Sequence, residues 1–191
     1  MATRATERGS VADDKTSAAR PVAPGRPVVA GISLSHHDRL IFPDLGITKL
    51  DLARYYEEIA PWIVPHVKGR PLTLVHCPQG VAGPCRYLRH AKAWGPTALR
   101  RVQIREKTKV GEYLVADSPG GVVALAQMGV VEIHTWNATV EKLECPDRIV
   151  WDLDPGPDVS WNDTVEAALL LRQVLHALGL PSWVKTTGGN G

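Results

Sequence analysis

The sequence predicts an α+β fold, and three observations carry that prediction. Val130 to Trp136 alternates apolar and polar residues with a period of two, as a half-buried strand does. Asp163 to Leu178 sets Ala168, Leu171, Leu175 and Leu178 at 3-4-3 spacing, the stripe of an amphipathic helix. The remaining segments show no strict strand-helix repetition, which favours α+β over a doubly wound parallel sheet.

Taken in order, residues 1–30 are rich in Ala, Arg, Ser, Thr, Pro and Gly. They hold too few large apolar groups to offset the entropy of ordering them, so a disordered tail is expected, with one globular portion over 31–191. Thr48 is placed to cap a helix with Asp51 at its third position. Leu52, Tyr55, Tyr56 and Ile59 would form the apolar face, with the tyrosine pair in the core, before Pro61 ends or kinks the helix. Pro71 to Cys77 reads as a strand closed by the turn Pro78-Gln79-Gly80, and Glu112 to Ala116 as another strand. Ser118-Pro119-Gly120-Gly121 reads as a turn into a segment of open type, Val122 to Met128. On the strand from Val130, Glu132, His134 and Trp136 share one face. Arg148 to Asp154 reads as a buried strand stopped by Pro155-Gly156-Pro157. Asp163 caps the last helix, Gly179 follows its end, and Ser182 to Thr187 is a final strand entering a glycine turn.

Composition narrows the function classes. A chain of 191 residues is one domain with room for a real core. Hydrophobic residues make up 44% and mean hydropathy is -0.10. Charge, Gly or Pro breaks every apolar run well short of a bilayer, and no secretory signal is visible, so no membrane is implied. Cys77, Cys85 and Cys145 are an odd set whose spacing fits neither a disulfide framework nor a zinc site. Reduced thiols and a cytoplasmic location are the expectation. The tail carries five basic residues against three acidic ones, which accounts for the whole net charge of +2. Within the neutral remainder, Arg86 to Lys109 holds eight basic residues and one acidic, whereas Glu141 to Asp163 holds seven acidic against Lys142 and Arg148. One region suits phosphates and the other suits cations.

Four motifs bear chemistry. Asp152 and Asp154, two apart on a strand, would leave one face together within reach of one Mg²⁺ or Mn²⁺ ion, while Ile149, Trp151 and Leu153 face the core. The same acids would equally serve as a solvated strand end. Thr186-Thr187-Gly188-Gly189 offers backbone amides and hydroxyls suited to a triphosphate, or is an ordinary turn. Arg39 and Lys49 flank a loop with Pro43 and Gly46, whose tip would present both charges to one terminal phosphate. His134 could donate to a phosphate oxygen, or sit satisfied beside Trp136.

The stretches LSHHDRLIFPDLGITKLDLARYY, GRPLTLVHCPQG, MGVVEIHTW, PDRIVWDLDPGP and KTTGGNG, in that order, resemble the polymerase domain of bacterial DNA ligase D. That family is a primase-polymerase of the archaeo-eukaryotic primase type used in non-homologous end joining. The resemblance covers about Ser33 to Gly191 and implies a catalytic core with an RRM-like sheet, incomplete at the C-terminus. It further implies a two-metal polymerase adding nucleotides to DNA ends, with Asp152 and Asp154 as catalytic metal carboxylates. His134, Thr187, Gly188 and Gly189 match positions at the incoming nucleoside triphosphate. Arg39 and Lys49 match the pair holding a downstream 5′-phosphate, and Tyr87 stands at the template contact. Ku and a DNA ligase are the implied protein partners. The sequence departs from the pattern at Arg86-Tyr87, where many relatives carry two phenylalanines, at His76 in place of arginine and at Asn190 in place of lysine. The family's third metal aspartate is expected beyond Gly191. Two further readings stay open: a DNA-end-binding fragment without catalysis, and an Asp-x-Asp glycosyltransferase, against which the phosphate-binding basic residues speak.

Overall fold

The computed structural model describes residues 25–91 and 95–186. Most of the expected tail, together with Thr187, Gly188 and Gly189, lies outside the described residues. Two short ribbons come first. β1 (Val28–Val29) pairs antiparallel with β2 (Ile32–Ser33), and β3 (Leu40–Phe42) pairs with β4 (Ile47–Thr48). β1 falls within the stretch read as tail, and its Val29 is buried.

α1 (Lys49–Glu58) starts where Thr48 was placed as a cap. The Thr48 hydroxyl accepts from the Asp51 N–H, and the Asp51 carboxylate accepts from the Thr48 N–H. α2 (Ala60–Val67) follows at once, with Pro61 in its first turn, where a missing N–H leaves no bond unmade. Only half of the tyrosine pair is core. Tyr56 is buried, and burial, then neighbouring Tyr55, pushes its hydroxyl up to about 12, while Tyr55 stays exposed.

One antiparallel sheet carries the rest: β5 (Leu72–His76), β6 (Arg86–Leu88), β7 (Arg100–Arg105), β8 (Val110–Val115) and β9 (Val130–Thr135). β5 is its axis. β9 runs along one edge of β5, from Leu72 opposite Thr135 to His76 opposite Val130. The other edge is shared by β6, with Leu74 opposite Leu88, and by β8 at Leu72 opposite Leu114, with β7 beyond. After β5 the chain turns back at Gly80 with φ +89°, where a Cβ would stand 2.5 Å from the Leu40 carbonyl oxygen.

Residues 118–121 open a helix, not a turn. Ser118 caps α3 (Pro119–Met128), its hydroxyl accepting from Gly121 N–H, with Pro119 in the first turn. Gly121 to Ala126 are buried without interruption, so α3 runs through the interior and has no polar stripe. Around it lie Leu34, Ile41, Leu52, Leu72, Leu74, Leu114 and Val130, the centre of the core.

Beyond β9 the character changes. α4 (Trp161–Ala177) is capped by Ser160, one turn before the expected Asp163, which instead closes the capping box from its third position. Gly179 sits at φ +72° just past the end, as expected. Thr164, Ala168, Leu171 and Leu175 are its less exposed stripe, while Leu178 is 68% exposed. No residue of α4 belongs to the core cluster. Residues 181–186, read as strand, are irregular and exposed, with Trp183 at 86%.

Candidate nucleic-acid and nucleotide interface

The acidic segment departs most from expectation. Residues 148–156 form no strand, and Ile149, Val150 and Trp151 are exposed where Ile149 and Trp151 were placed in the core. Strand formation needs an edge to pair with, and the anchors here lead the chain elsewhere. The buried Arg70 guanidinium grips both carboxylate oxygens of Asp147 at 2.8 and 2.6 Å and also donates to the Trp136 carbonyl. Arg148 donates to the His66 carbonyl at the C-terminal end of α2. The Arg70 bonds hold the Asp147 carboxyl below the usual carboxylate range. From there to the Ser160 cap the chain is irregular, and Asp152 and Asp154 are exposed on it. Their oxygens suit a hard divalent cation in donor type. Among the described residues, no three His, Cys, Asp or Glu side chains converge on a metal position.

The sheet brings together two of the residues singled out. Thr73 lies opposite His134 and Val75 opposite Tyr87, on the two edges of β5, so both side chains rise from the same face. Their ring centroids are 6.3 Å apart. Tyr87 is 70% exposed, and the His134 Nε2 shares a 2.8 Å hydrogen bond with the Glu132 carboxylate. The opposite face of β5, Leu72 and Leu74, seals the core. The open aromatic ring has a face on which a base can stack, and the imidazole beside it is bonded to a carboxylate.

Arg39 and Lys49 do not form a pair at a loop tip. Lys49 is the first residue of α1 and only 4% exposed. Its Nζ donates to the carbonyls of Ser35 at 3.1 Å and Gln127 at 3.2 Å, tying α1 to the end of α3. Burial, with the Arg39 guanidinium adding to it, holds this ammonium below the ordinary lysine value. Arg39 is half-buried and donates through one nitrogen to the Pro78 carbonyl, leaving further donors of its fork for another partner.

Parts of the basic stretch are already neutralised. Arg100 meets Asp117 at 2.6 Å and Arg101 meets Glu112 at 2.5 Å, while Arg86, Arg89, Arg105 and Lys107 are exposed. The sequence reading missed a polar cluster at the far end of β7 and β8. His90 Nε2 lies 2.6 Å from Glu106, and the Tyr113 hydroxyl donates to the same oxygen at 2.9 Å. The His90 and Tyr113 bonds hold Glu106 below its usual range, and Tyr113 is raised, by burial first and then by Glu106. It also missed a disulfide: Cys77 and Cys85 are bridged, and Cys145 is the free, exposed thiol. The signal was geometric, since β6 was not read and only its register sets the two cysteines opposite each other.

Residues 48–191 match the family described as LigD, primase-polymerase domain. The chain belongs to that family. It is 37% identical over 168 residues to the multifunctional non-homologous end joining protein LigD of Pseudomonas aeruginosa, covering 87% of this chain and 20% of that protein. The bifunctional LigD of Bacillus subtilis is 24% identical over 173 residues, 91% of this chain and 28% of its own length. The polymerase domain of Mycobacterium tuberculosis ligase D, in complex with DNA, superposes with a TM-score of 0.74 at 27% identity, over 83% of this chain and 58% of that one. This chain thus spans about a fifth to somewhat over a quarter of the length of these LigD proteins and somewhat over half of the solved domain. Membership in the LigD primase-polymerase family accords with the α+β sheet seen here and leaves the nucleotide-sugar reading without support. Among the described residues, no helix is long and apolar enough to cross a membrane.

Proposed function

We propose that this chain is part of a DNA-end nucleotidyltransferase of the LigD type, acting in non-homologous end joining on 5′-phosphorylated ends with nucleoside triphosphates. The observation that carries the reading is the open face of β5, where Tyr87 and His134 stand side by side in a chain of this family. Tyr87 would stack a template base, and His134 would turn its Nε2–H from the Glu132 carboxylate to a phosphate oxygen of the incoming nucleotide. Thr187, Gly188 and Gly189 would supply amides and a hydroxyl to the same triphosphate. Arg39, with donors to spare, would take the 5′-phosphate directly, and Lys49 would add its charge from beneath. Asp152 and Asp154 would hold Mn²⁺ or Mg²⁺. Such an ion supplies activation of a primer 3′-hydroxyl and charge neutralisation at the departing pyrophosphate. Ku and a DNA ligase are the partners that fit this role.

Binding to a recessed duplex with and without a 5′-phosphate, across a salt series, tests the reading. Preference for the phosphorylated end should fall with Arg39→Ala, and the log–log salt slope should drop by about 0.7 to 0.9. An unchanged preference would overturn the assignment of Arg39. Exposure of Asp152 and Asp154 on an unpaired segment favours a second reading, DNA-end binding without catalysis. Gap-filling with Mn²⁺ separates the two: templated incorporation abolished by Asp154→Ala supports the enzyme, and binding without incorporation supports the alternative.

A further inference from the structure

We propose that the Cys77–Cys85 bridge is a thiol-exchange site whose reduction releases β6 and, with it, the hold on a DNA end. The second half rests on the DNA-end reading above. In the β5–β6 ladder Val75 faces Tyr87 and His76 faces Arg86, so Cys77 and Cys85 are the next opposed pair, 4.3 Å apart between Cα atoms. The bridge therefore closes the mouth of a hairpin whose loop is residues 78–84.

The two halves of that loop are held differently. The first half is fixed to the core: Cys77 N–H donates to the Gly129 carbonyl at 2.8 Å, Val81 N–H donates to the Ile41 carbonyl at 2.9 Å, and the Arg39 guanidinium holds the Pro78 carbonyl. In the second half, Gly83 N–H reaches only back to Gly80 within the loop. The covalent tie at Cys85, three ladder positions and the burial of Leu88 in the core then fix β6, the strand that displays Tyr87, so the end of β6 next to Cys85 depends most on the bridge.

Exposure makes the sulfurs unequal. Cys77 is fully buried and Cys85 is exposed, so a thiolate from solvent meets Cys85 Sγ first. In that step a new sulfur–sulfur bond forms between a dithiol reductant and Cys85, the Cys77–Cys85 bond breaks, and Cys77 leaves as a thiolate that takes a proton from solvent. The reductant's second thiolate then attacks the mixed disulfide and expels Cys85, which is protonated in turn. Two electrons pass to the bridge, and the dithiol becomes a disulfide. Cys77 remains in place as a small buried thiol, still bonded through its N–H to Gly129. Cys85 and the three residues of β6 lose their covalent tie, so the Tyr87 side of the site loosens while the Arg39 side stays held.

The test uses the full chain carrying Cys145→Ser, so that only two sulfurs report. Alkylation in denaturant without reductant should label neither cysteine, and after dithiothreitol treatment both, whereas alkylation of the folded, reduced chain should label Cys85 and spare the buried Cys77. Hydrogen exchange over residues 82–88 should then speed by about tenfold while residues 111–115 of β8 do not change. Affinity for a 5′-phosphorylated recessed duplex should fall by about tenfold, in line with loss of one stacked base. Cys85→Ser in the same background should show the loosened behaviour with or without reductant. Two labelled thiols in the untreated chain, or equal exchange over 82–88 in both states, would overturn the latch. Faster exchange with unchanged affinity would overturn its link to DNA. A chain that binds no DNA in either state would instead sink the functional reading, and the latch would be decided by the exchange result alone.

Discussion

Replacing Lys49 with methionine keeps the length and apolar stem of the side chain and removes its ammonium. The Ser35 and Gln127 carbonyls, at 3.1 and 3.2 Å, then lose a charged donor in a site only 4% exposed. Each bond from a charged donor contributes about 1.5 to 3 kcal/mol on its own. Burying the ammonium, however, costs several kcal/mol, which methionine avoids. The balance expected for Lys49→Met is a loss of about 2 kcal/mol, or about 4 to 8 °C in Tm for a chain of this size. Alkaline pH sharpens the test. The folded-state value of Lys49 lies below its ordinary 10.5, so folding penalises the charged form at all lower pH. Between the lowered value and 10.5 that penalty is relieved, because the unfolded chain binds more protons there, and wild-type stability rises relative to the variant. Thermal melts of both proteins from neutral pH upward should show the deficit of Lys49→Met widening through that window. A variant within about 1 °C of wild type at pH 7, or a gap that closes as pH rises, would refute the picture of Lys49 as a buried tie between α1 and α3.

Three more outcomes are expected. Asp152→Asn together with Asp154→Asn should leave stability within about 0.5 kcal/mol, since both are exposed, yet remove the paramagnetic broadening that Mn²⁺ causes near this segment; identical titrations would discard the site. The Asp147 carboxyl, held down by Arg70, contributes stability that is complete above its ordinary 3.8 and is lost as pH falls through its lowered folded value. Arg70→Met should therefore flatten that acid limb in melts taken across it, and an acid limb as steep as wild type would contradict the assignment. Ser160→Ala removes the cap of a helix outside the core, costing about 1 kcal/mol locally. Amide exchange over residues 161–168 should rise by about fivefold without a shift in the main melting transition, and a lower Tm would mean that α4 is coupled to the core.

The sequence made local features plain and left long-range ones hidden. The Thr48–Asp51 box, the alternation of β9 and the Gly179 stop are written within a few residues of one another, and each is found in place. α3 was missed although Ser118 and Pro119 are good helix-start residues, because two glycines imitate a turn and burial on all sides erases the helical period. The strand expected at 148–154 rested on apolar alternation alone, and alternation does not state which edge will accept it. Lys49 looked like surface charge because the carbonyls that claim it are 14 and 78 residues away. Cys77 and Cys85 looked unrelated for the same reason: their pairing depends on a three-residue strand too short to leave a pattern.

α4 has a consequence in time. Its 17 residues carry their own start at Ser160 and Asp163 and their own stop at Gly179, so the signals that set its ends are all local. A segment of that length relaxes in about a microsecond or less. The sheet is slower by nature, because β5 must find β9 across the whole of α3, β6, β7 and β8, and such non-local pairing governs the rate of a fold. During refolding, helical signal from α4 should therefore run ahead of the core. On heating, it should outlast the core or vanish before it, so helix and core probes need not share one transition.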